Sequence, residues 1–227
     1  VSRITRGANL PTWRSVLAVV AHPDDESFGL GAVIDAFAVT GARVSVLCFT
    51  HGEASTLHGV GGNLREIRQL ELQEAAKALG VCDVKLAPYP DGGLGNVGFE
   101  ELVAVARDAA ALFRAEGLLA FDSSGVTGHP DHIRATEVAI KVGESERLGV
   151  LGWTLPAAVA NVLQDECGAS FIGHVESEMD VELVVSRIRQ RAAIACHPSQ
   201  AVPGSVLWRR LELLGDVEHL RWLCEPA

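Results

Sequence analysis

"VVAHPDDESFGLG", residues 19–31, runs two valines and an alanine into His22, then Pro23, then three adjacent carboxylates, Asp24, Asp25 and Glu26. A short apolar run bounded by turn residues reads as a buried strand. A buried strand that ends in a histidine and a knot of like charges needs something to offset their repulsion. Taken alone, His-Pro-Asp makes a turn, with Asp24 capping the next helix and Glu26 favoured in its first turn. The other resolution is a bound divalent cation, beside which clustered anionic side chains become favourable.

Working outward, Ser15–Ala21 reads as the first strand and Gly29–Thr40 as a helix with Leu30, Val33, Ile34 and Phe37 on one face. Gly41 closes that helix where a left-handed residue is wanted. Val44–Thr50 is a second strand, and 51–63 is a loop of small and polar residues. Leu64–Leu79 is a helix closed by Gly80, and Val84–Ala87 is a third strand. "YPDGGLGNVG", 89–98, is a glycine-rich loop, followed by a helix over Glu100–Glu116 with Gly117 at its end. Leu118–Asp122 is a fourth strand and His132–Glu146 another helix. Beyond these, Trp153–Asn161 reads as a weaker helix, Val175–Val181 as an irregular strand and Val181–Cys196 as helical, while the last thirty residues mix their signals.

Strands alternating with helices imply an α/β protein, a Rossmann-like three-layer sandwich with a mostly parallel sheet. A length of 227 residues suits a single domain over 1–227. With right-handed crossovers winding out from the first strand, the order is 3-2-1-4. Strands one and four then flank the point where the winding reverses, and open α/β sheets bind ligands at the carboxyl ends of such strands. The loop after strand one is AHPDDE (21–26), and the loop after strand four leads to GHPDH (128–132). Two histidines and a carboxylate meeting there make a catalytic zinc set with an open position for water, and the same donors also suit ferrous iron. Adjacent Asp24 and Asp25 can point different ways, one to the metal and the other to the water as a base.

Composition narrows the classes. A net charge of −10 argues against nucleic-acid binding and against docking on anionic membranes. Five scattered cysteines without a Cys-x-x-Cys pair read as reduced thiols. No apolar run has the length of a signal peptide or a membrane span, so the expected location is the cytoplasm. The chain has no Gly-x-Ser-x-Gly elbow for a nucleophilic serine. The "GLG" of 29–31 lacks the third glycine of a dinucleotide fingerprint, with Ile34 in its place, and a pyrophosphate there would meet Asp24 and Asp25.

AHPDDE and GHPDH together resemble the PIG-L/LmbE family of zinc-dependent de-N-acetylases. "THGEAS" (50–55), "RQLELQEAAKALGV" (68–81) and "HPSQ" (197–200) match further family segments in the family's order. The resemblance implies that His22, Asp25 and His132 bind zinc and that Asp24 is the general base. It implies that His129 stabilises the oxyanion and protonates the leaving amine, while Asp131 orients His129 and keeps it cationic. Arg68 and Asp91 fall where family members contact substrate. One departure is Thr127, where some members carry a tyrosine that helps polarise the carbonyl.

The activity implied is removal of an N-acyl group, most simply acetyl, from a small amino-sugar conjugate. Two other classes stay open: an amidase or esterase acting on another bond, such as a thiol-conjugate amide, and a non-catalytic metal or sugar binder on the same scaffold. Oligomeric state stays open as well, a homo-oligomer included. Several residues also carry plainer readings. Arg68 can pair with Glu71 on a solvated helix face, and Asp91 can simply make the turn in Pro-Asp-Gly-Gly. His51 and His58 read as loop histidines and His174 and His219 as surface ones. His197 divides between support of the site and loop packing.

Overall fold

Ser15–Val20 forms β1, and all six of its residues are buried. Val16, Ala18 and Val20 enter one apolar core while Leu17 and Val19 enter another. Side chains alternate across a strand, so a strand buried in both directions must be covered by helices on both faces. The computed structural model describes residues 10–57 and 61–226. His58 and the two arginines near the start of the chain, Arg3 and Arg6, lie outside the described residues.

The sheet is built from β1, β2 (Arg43–Thr50), β3 (Asp83–Tyr89), β4 (Gly117–Phe121), β5 (Gly149–Pro156), β7 (Val181–Val184) and β8 (Val217–Cys224), in the order β3-β2-β1-β4-β5-β8-β7. A two-residue strand, β6 (Gly173–His174), pairs with β5 off this path. The first five strands run parallel, and β8 lies antiparallel to both β5 and β7. The expected 3-2-1-4 order is therefore present, within a larger mixed sheet.

On one face, α2 (Gly31–Val39) and α3 (Leu64–Leu79) contribute Val33, Ile34, Phe37, Leu72, Ala75 and Leu79 to the first core. On the other, α4 (Phe99–Phe113) and α6 (Pro130–Glu146) contribute Leu102, Val103, Ala135 and Val138 to the second. The result is the expected three-layer α/β sandwich. Among the described residues the other α-helices are the single turns α1 (Asp25–Phe28) and α5 (Gly125–Gly128), then α7 (Ala157–Cys167), α8 (Ile188–Ala195) and α9 (Val206–Leu214).

Four expectations need correction. The helix expected at 29–40 arrives as α1 and α2, joined through Gly29, where a Cβ would collide with the Phe121 ring. The end of α4 is made by Arg114 in a left-handed conformation (φ 53°), not by Gly117. Gly117 instead opens β4 beneath the Trp13 ring. Trp153 lies in β5, where a weak helix was expected. In a short apolar run periodicity cannot separate a buried strand from a helix, and burial between β4 and β8 decides the matter. Finally, 181–196 is not one helix: β7 pairs with β8 before α8 begins. Arg187 lies between them, with its guanidinium on the Glu218 carboxylate and the Val217 carbonyl of β8.

Candidate functional site

Two strand ends make the site. The chain leaves β1 through His22 and turns at Asp24, whose backbone sits at φ 125°. L-residues rarely adopt that region, and holding one there costs about 1–3 kcal/mol. The turn is held by Glu26, which accepts a hydrogen bond from the Asp24 N–H at 2.8 Å, and by the Asp24 carbonyl, which accepts from Ser27 and Phe28. Its consequence is that neighbouring carboxylates diverge: Asp24 faces Arg68 and Asp25 faces His132. The second segment leaves β4 at Phe121 and passes through Val126, also left-handed at φ 63°. His129 is the N-cap of α6, with Pro130 in the first turn, a position that suits its fixed φ. Because β1 and β4 are sheet neighbours, the loops that follow them meet.

His22, Asp25 and His132, the set that the resemblance implies, lie close together. His22 Nδ1 lies 3.1 Å from His132 Nε2, and Asp25 Oδ1 lies 3.1 Å from His132 Nε2. Asp25 Oδ2 is 3.7 Å from His22 Nδ1. Donors held tetrahedrally at zinc distances stand about 3.3 Å apart, so this spacing fits a small dication. The outer atoms agree. His132 Nδ1 lies 3.1 Å from the Gly125 carbonyl, which leaves Nε2 free to coordinate. His22 Nε2 lies 3.1 Å from Asp91 and 3.4 Å from Asp131, which leaves Nδ1 free. Asp25 Oδ2 also accepts from the backbone N–H groups of Ala21 and His22. The His129 ring is a close neighbour, and donor atoms of His22, His129 and His132 all fall within 4.8 Å of one another. A second grouping, His22 with Asp91 and Asp131, engages the outer nitrogen of His22.

The electrostatics point the same way. Burial, the largest influence, pulls the His22 pKa down, but its hydrogen bonds to Asp131 and Asp91 and the charges of Asp25 and Asp24 raise it to about 10. Burial pushes Asp25 up, yet His132 and His22 hold it well below the usual carboxylate range. The cluster draws positive charge inward, and a dication can take the place of the proton that His22 would otherwise keep. Asp24 differs: burial pushes it up to about 6, against the pull of Arg68.

Arg68 is only 3% exposed. Its guanidinium donates to Asp24 Oδ2 at 2.9 Å, to the Gly52 carbonyl at 2.6 Å and to the Pro23 carbonyl. The solvated pair with Glu71 is therefore not what it makes. Glu71 is taken by Ser199, through both N–H and hydroxyl. His197 is fully buried and lies 2.7 Å from Glu26, so the HPSQ segment supports the strained turn from beneath. Ser55 donates to Gln200 at 2.7 Å and ties the loop after β2 to the same segment.

Asp131 and Asp91 make further contacts within the cluster. The Asp131 carboxylate does not orient His129; it accepts from the Gly92 and Leu94 N–H groups and approaches His22. What meets His129 is the backbone N–H of Asp131, which donates to Nδ1 at 3.2 Å. An accepting Nδ1 belongs to a neutral ring with its proton on Nε2. Burial, the largest influence, and the nearby His22 and His132 push the His129 pKa down, more than the charges of Asp131 and Asp25 push it up. Asp91 spends one oxygen on His22 and the other on the Ala54 N–H, so it braces the cluster although it also borders the cavity. His174, read from sequence as a surface residue, is largely covered and lies 3.1 Å from the buried Asp122 carboxylate. His219 is similarly covered, with 13% of its side chain exposed.

The cluster opens into a cavity of about 540 Å³. Thr127 stands at its border, exposed, where the resemblance leads one to look for a tyrosine. The far wall comes from residues without a local signature: Trp153, Phe171, Leu207 and Arg210, all beyond the legible half of the chain. A regular apolar stripe marks none of them as cavity residues, because their neighbours across the cavity come from β4 and α1.

Residues 17–142 match the model of a family described as PIG-L, GlcNAc-PI de-N-acetylase. The chain is similar to a 1D-myo-inositol 2-acetamido-2-deoxy-alpha-D-glucopyranoside deacetylase of Catenulispora acidiphila, 33% identical over 156 residues, which cover 58% of this chain and 48% of that protein. A deacetylase of the same description from Kineococcus radiotolerans is 30% identical over 191 residues, 67% of this chain and 53% of that protein. The chain thus spans about half the length of the curated relatives it matches. The fold is similar to a crystal structure of the zinc-inhibited form of teicoplanin deacetylase Orf2, with a TM-score of 0.71 at 18% identity, covering 92% of this chain and 97% of that one.

Proposed function

Because the chain belongs to the PIG-L, GlcNAc-PI de-N-acetylase family, we propose that it is a metal-dependent hydrolase that removes an N-acetyl group from a small amino-sugar conjugate. The observation that carries this reading is the convergence of His22 Nδ1, Asp25 and His132 Nε2, with the outer atoms of both rings already engaged. These three residues would hold the cation, with zinc as the first candidate. When bound, such an ion supplies Lewis acidity and a lowered pKa for water.

The chain's own residues supply the rest. Asp24 borders the cavity and takes the proton of the attacking water; Arg68 holds its carboxylate in place. His129 directs its Nε2–H into the cavity as a hydrogen-bond donor to the developing oxyanion, and the proton that Asp24 takes from the water passes on to the departing amine. Asp91 and Asp131 hold the His22 ring from behind. Charge supports a free sugar conjugate over a lipid-linked one: the net charge is −10, and among the described residues no helix is long and apolar enough to cross a membrane.

The test is release of free amine from a panel of N-acetylglucosaminyl conjugates, with metal content measured on the same preparation. Amine released by a sample holding one equivalent of metal, lost with chelator and restored by zinc or ferrous iron, supports the proposal. Stoichiometric metal with no turnover of any conjugate in the panel overturns it.

A further inference from the structure

Arg210, on α9, is a buried cation that the proposed chemistry does not use. It is 7% exposed, yet among the described residues it makes no ion pair. Its Nη2 donates to the Phe28 carbonyl, and its Nε is buried with no acceptor. The acids whose charge acts on it are Glu218 and Asp25; the two oxygens of Glu218 are occupied by the Arg187 guanidinium and the Trp153 indole N–H, and Asp25 faces His132. Burial, the largest influence, lowers the Arg210 pKa to about 10, so the group is still charged at neutral pH. A buried guanidinium without an ion pair of its own is costly, and a charge-assisted hydrogen bond to an oxyanion would offset that cost.

Its placement says where that oxyanion comes from. Arg210 lines the same cavity as His22 and Asp24. Its guanidinium carbon sits 5.0 Å from the Trp153 ring centroid, a cation–π contact. Trp153 lies 5.5 Å from Phe121, and Phe121 lies 4.9 Å from His132, again between ring centroids. An aromatic wall thus runs from the candidate metal centre to the unpaired guanidinium, with Phe28 and Phe171 also lining the space.

We propose that Arg210 is a specificity-determining residue, and that the substrate carries an apolar limb along the Phe121–Trp153 wall ending in an oxyanion, a carboxylate or a phosphate monoester, held by Arg210. This inference rests on the N-deacetylase reading and names its substrate class.

Three aryl N-acetylglucosaminides separate the possibilities: 4-carboxyphenyl, 4-phosphonooxyphenyl and the neutral 4-carbamoylphenyl. For the unmodified enzyme we expect kcat/KM for at least one anionic glycoside to exceed that of the carbamoyl one by about tenfold or more. Whichever anion gains identifies the source of the oxyanion. In Arg210→Gln the ratio of anionic to neutral falls close to one, and Arg210→Lys keeps part of it. No preference in the unmodified enzyme overturns the inference. So does an Arg210→Gln variant in which all three glycosides lose activity by the same factor, because that marks a purely structural role. Calorimetric binding of the same glycosides is read in parallel. If no glycoside is deacetylated, the anionic preference in binding and its loss in Arg210→Gln still decide the role of Arg210, separately from the hydrolase proposal.

Discussion

The guanidinium of Arg68 lies 2.9 Å from the carboxylate of Asp24, 44 residues earlier in the chain. That contact aims the strained turn after β1: the same guanidinium also holds the carbonyls of Pro23 and Gly52. Asp24→Asn keeps the shape and the metal donors but removes the base. Bound metal is expected to stay near one equivalent while kcat falls by about 10²- to 10⁴-fold. Unchanged kcat removes Asp24 from the chemistry. Arg68→Lys should not rescue Arg68→Met fully, because a single ammonium cannot serve three acceptors in a fork.

Gly52 sits beneath that fork. It adopts φ 65°, and a Cβ there would overlap the Arg68 guanidinium. Gly52→Ala should therefore cost stability by about 1–2 kcal/mol from the left-handed backbone alone. It should also lower kcat, by displacing Arg68 from Asp24. Denaturant titration and steady-state kinetics check the two parts, and a variant that loses stability but keeps full kcat counts against the positioning role of Arg68.

Metal removal is expected to destabilise as well as inactivate. The cluster brings the carboxylates Asp24, Asp25, Asp91 and Asp131 around His22, and ligand binding to the folded state adds stability of about 2.7 kcal/mol at a hundredfold excess over Kd. Chelation should lower Tm, and zinc should restore it. In His132→Ala neither change should occur. A Tm indifferent to chelator in the unmodified protein, with metal content near zero throughout, argues against the site.

His197 links pH to stability. Burial, the largest influence, lowers its pKa, but Glu26, hydrogen-bonded and charged, together with Asp24 and Glu71, raises it overall. A raised folded-state pKa means that the stabilisation is fully present below the unfolded value of about 6.5 and is lost as pH rises through the folded value. His197→Ala leaves Glu26 buried without its partner and should cost about 3–5 kcal/mol. The gap between wild type and variant should be widest near pH 6 and should narrow toward alkaline pH. Urea titrations across that range measure it, and a gap that widens with pH reverses the assignment.

Half of the architecture was legible without coordinates. Local periodicity placed β1 to β4, α3 and α6 to within a few residues, because a helix or strand repeats its apolar face every 3.6 or 2 residues whatever surrounds it. The right-handed crossover rule then set strands one and four side by side, and with them AHPDDE and GHPDH. Past residue 150 the same method fails: Trp153 belongs to β5 and 181–184 to β7, and both are decided by pairing with β8. An antiparallel partner some 70 residues away from Trp153 leaves no trace in the residues beside it.

The amino-acid sequence by itself determined the donor types, the order of the central strands and the meeting of the two motif loops, since each depends on interactions between near neighbours or on chain handedness. Only the tertiary structure decided which nitrogen of His22 is left free, that Asp131 braces His22 and offers His129 its backbone, and that Arg210 lines the cavity with no ion pair among the described residues. The His22–Asp131 and Arg210–Phe28 contacts join residues 109 and 182 positions apart, and a contact at that range is settled by packing, not by spacing along the chain.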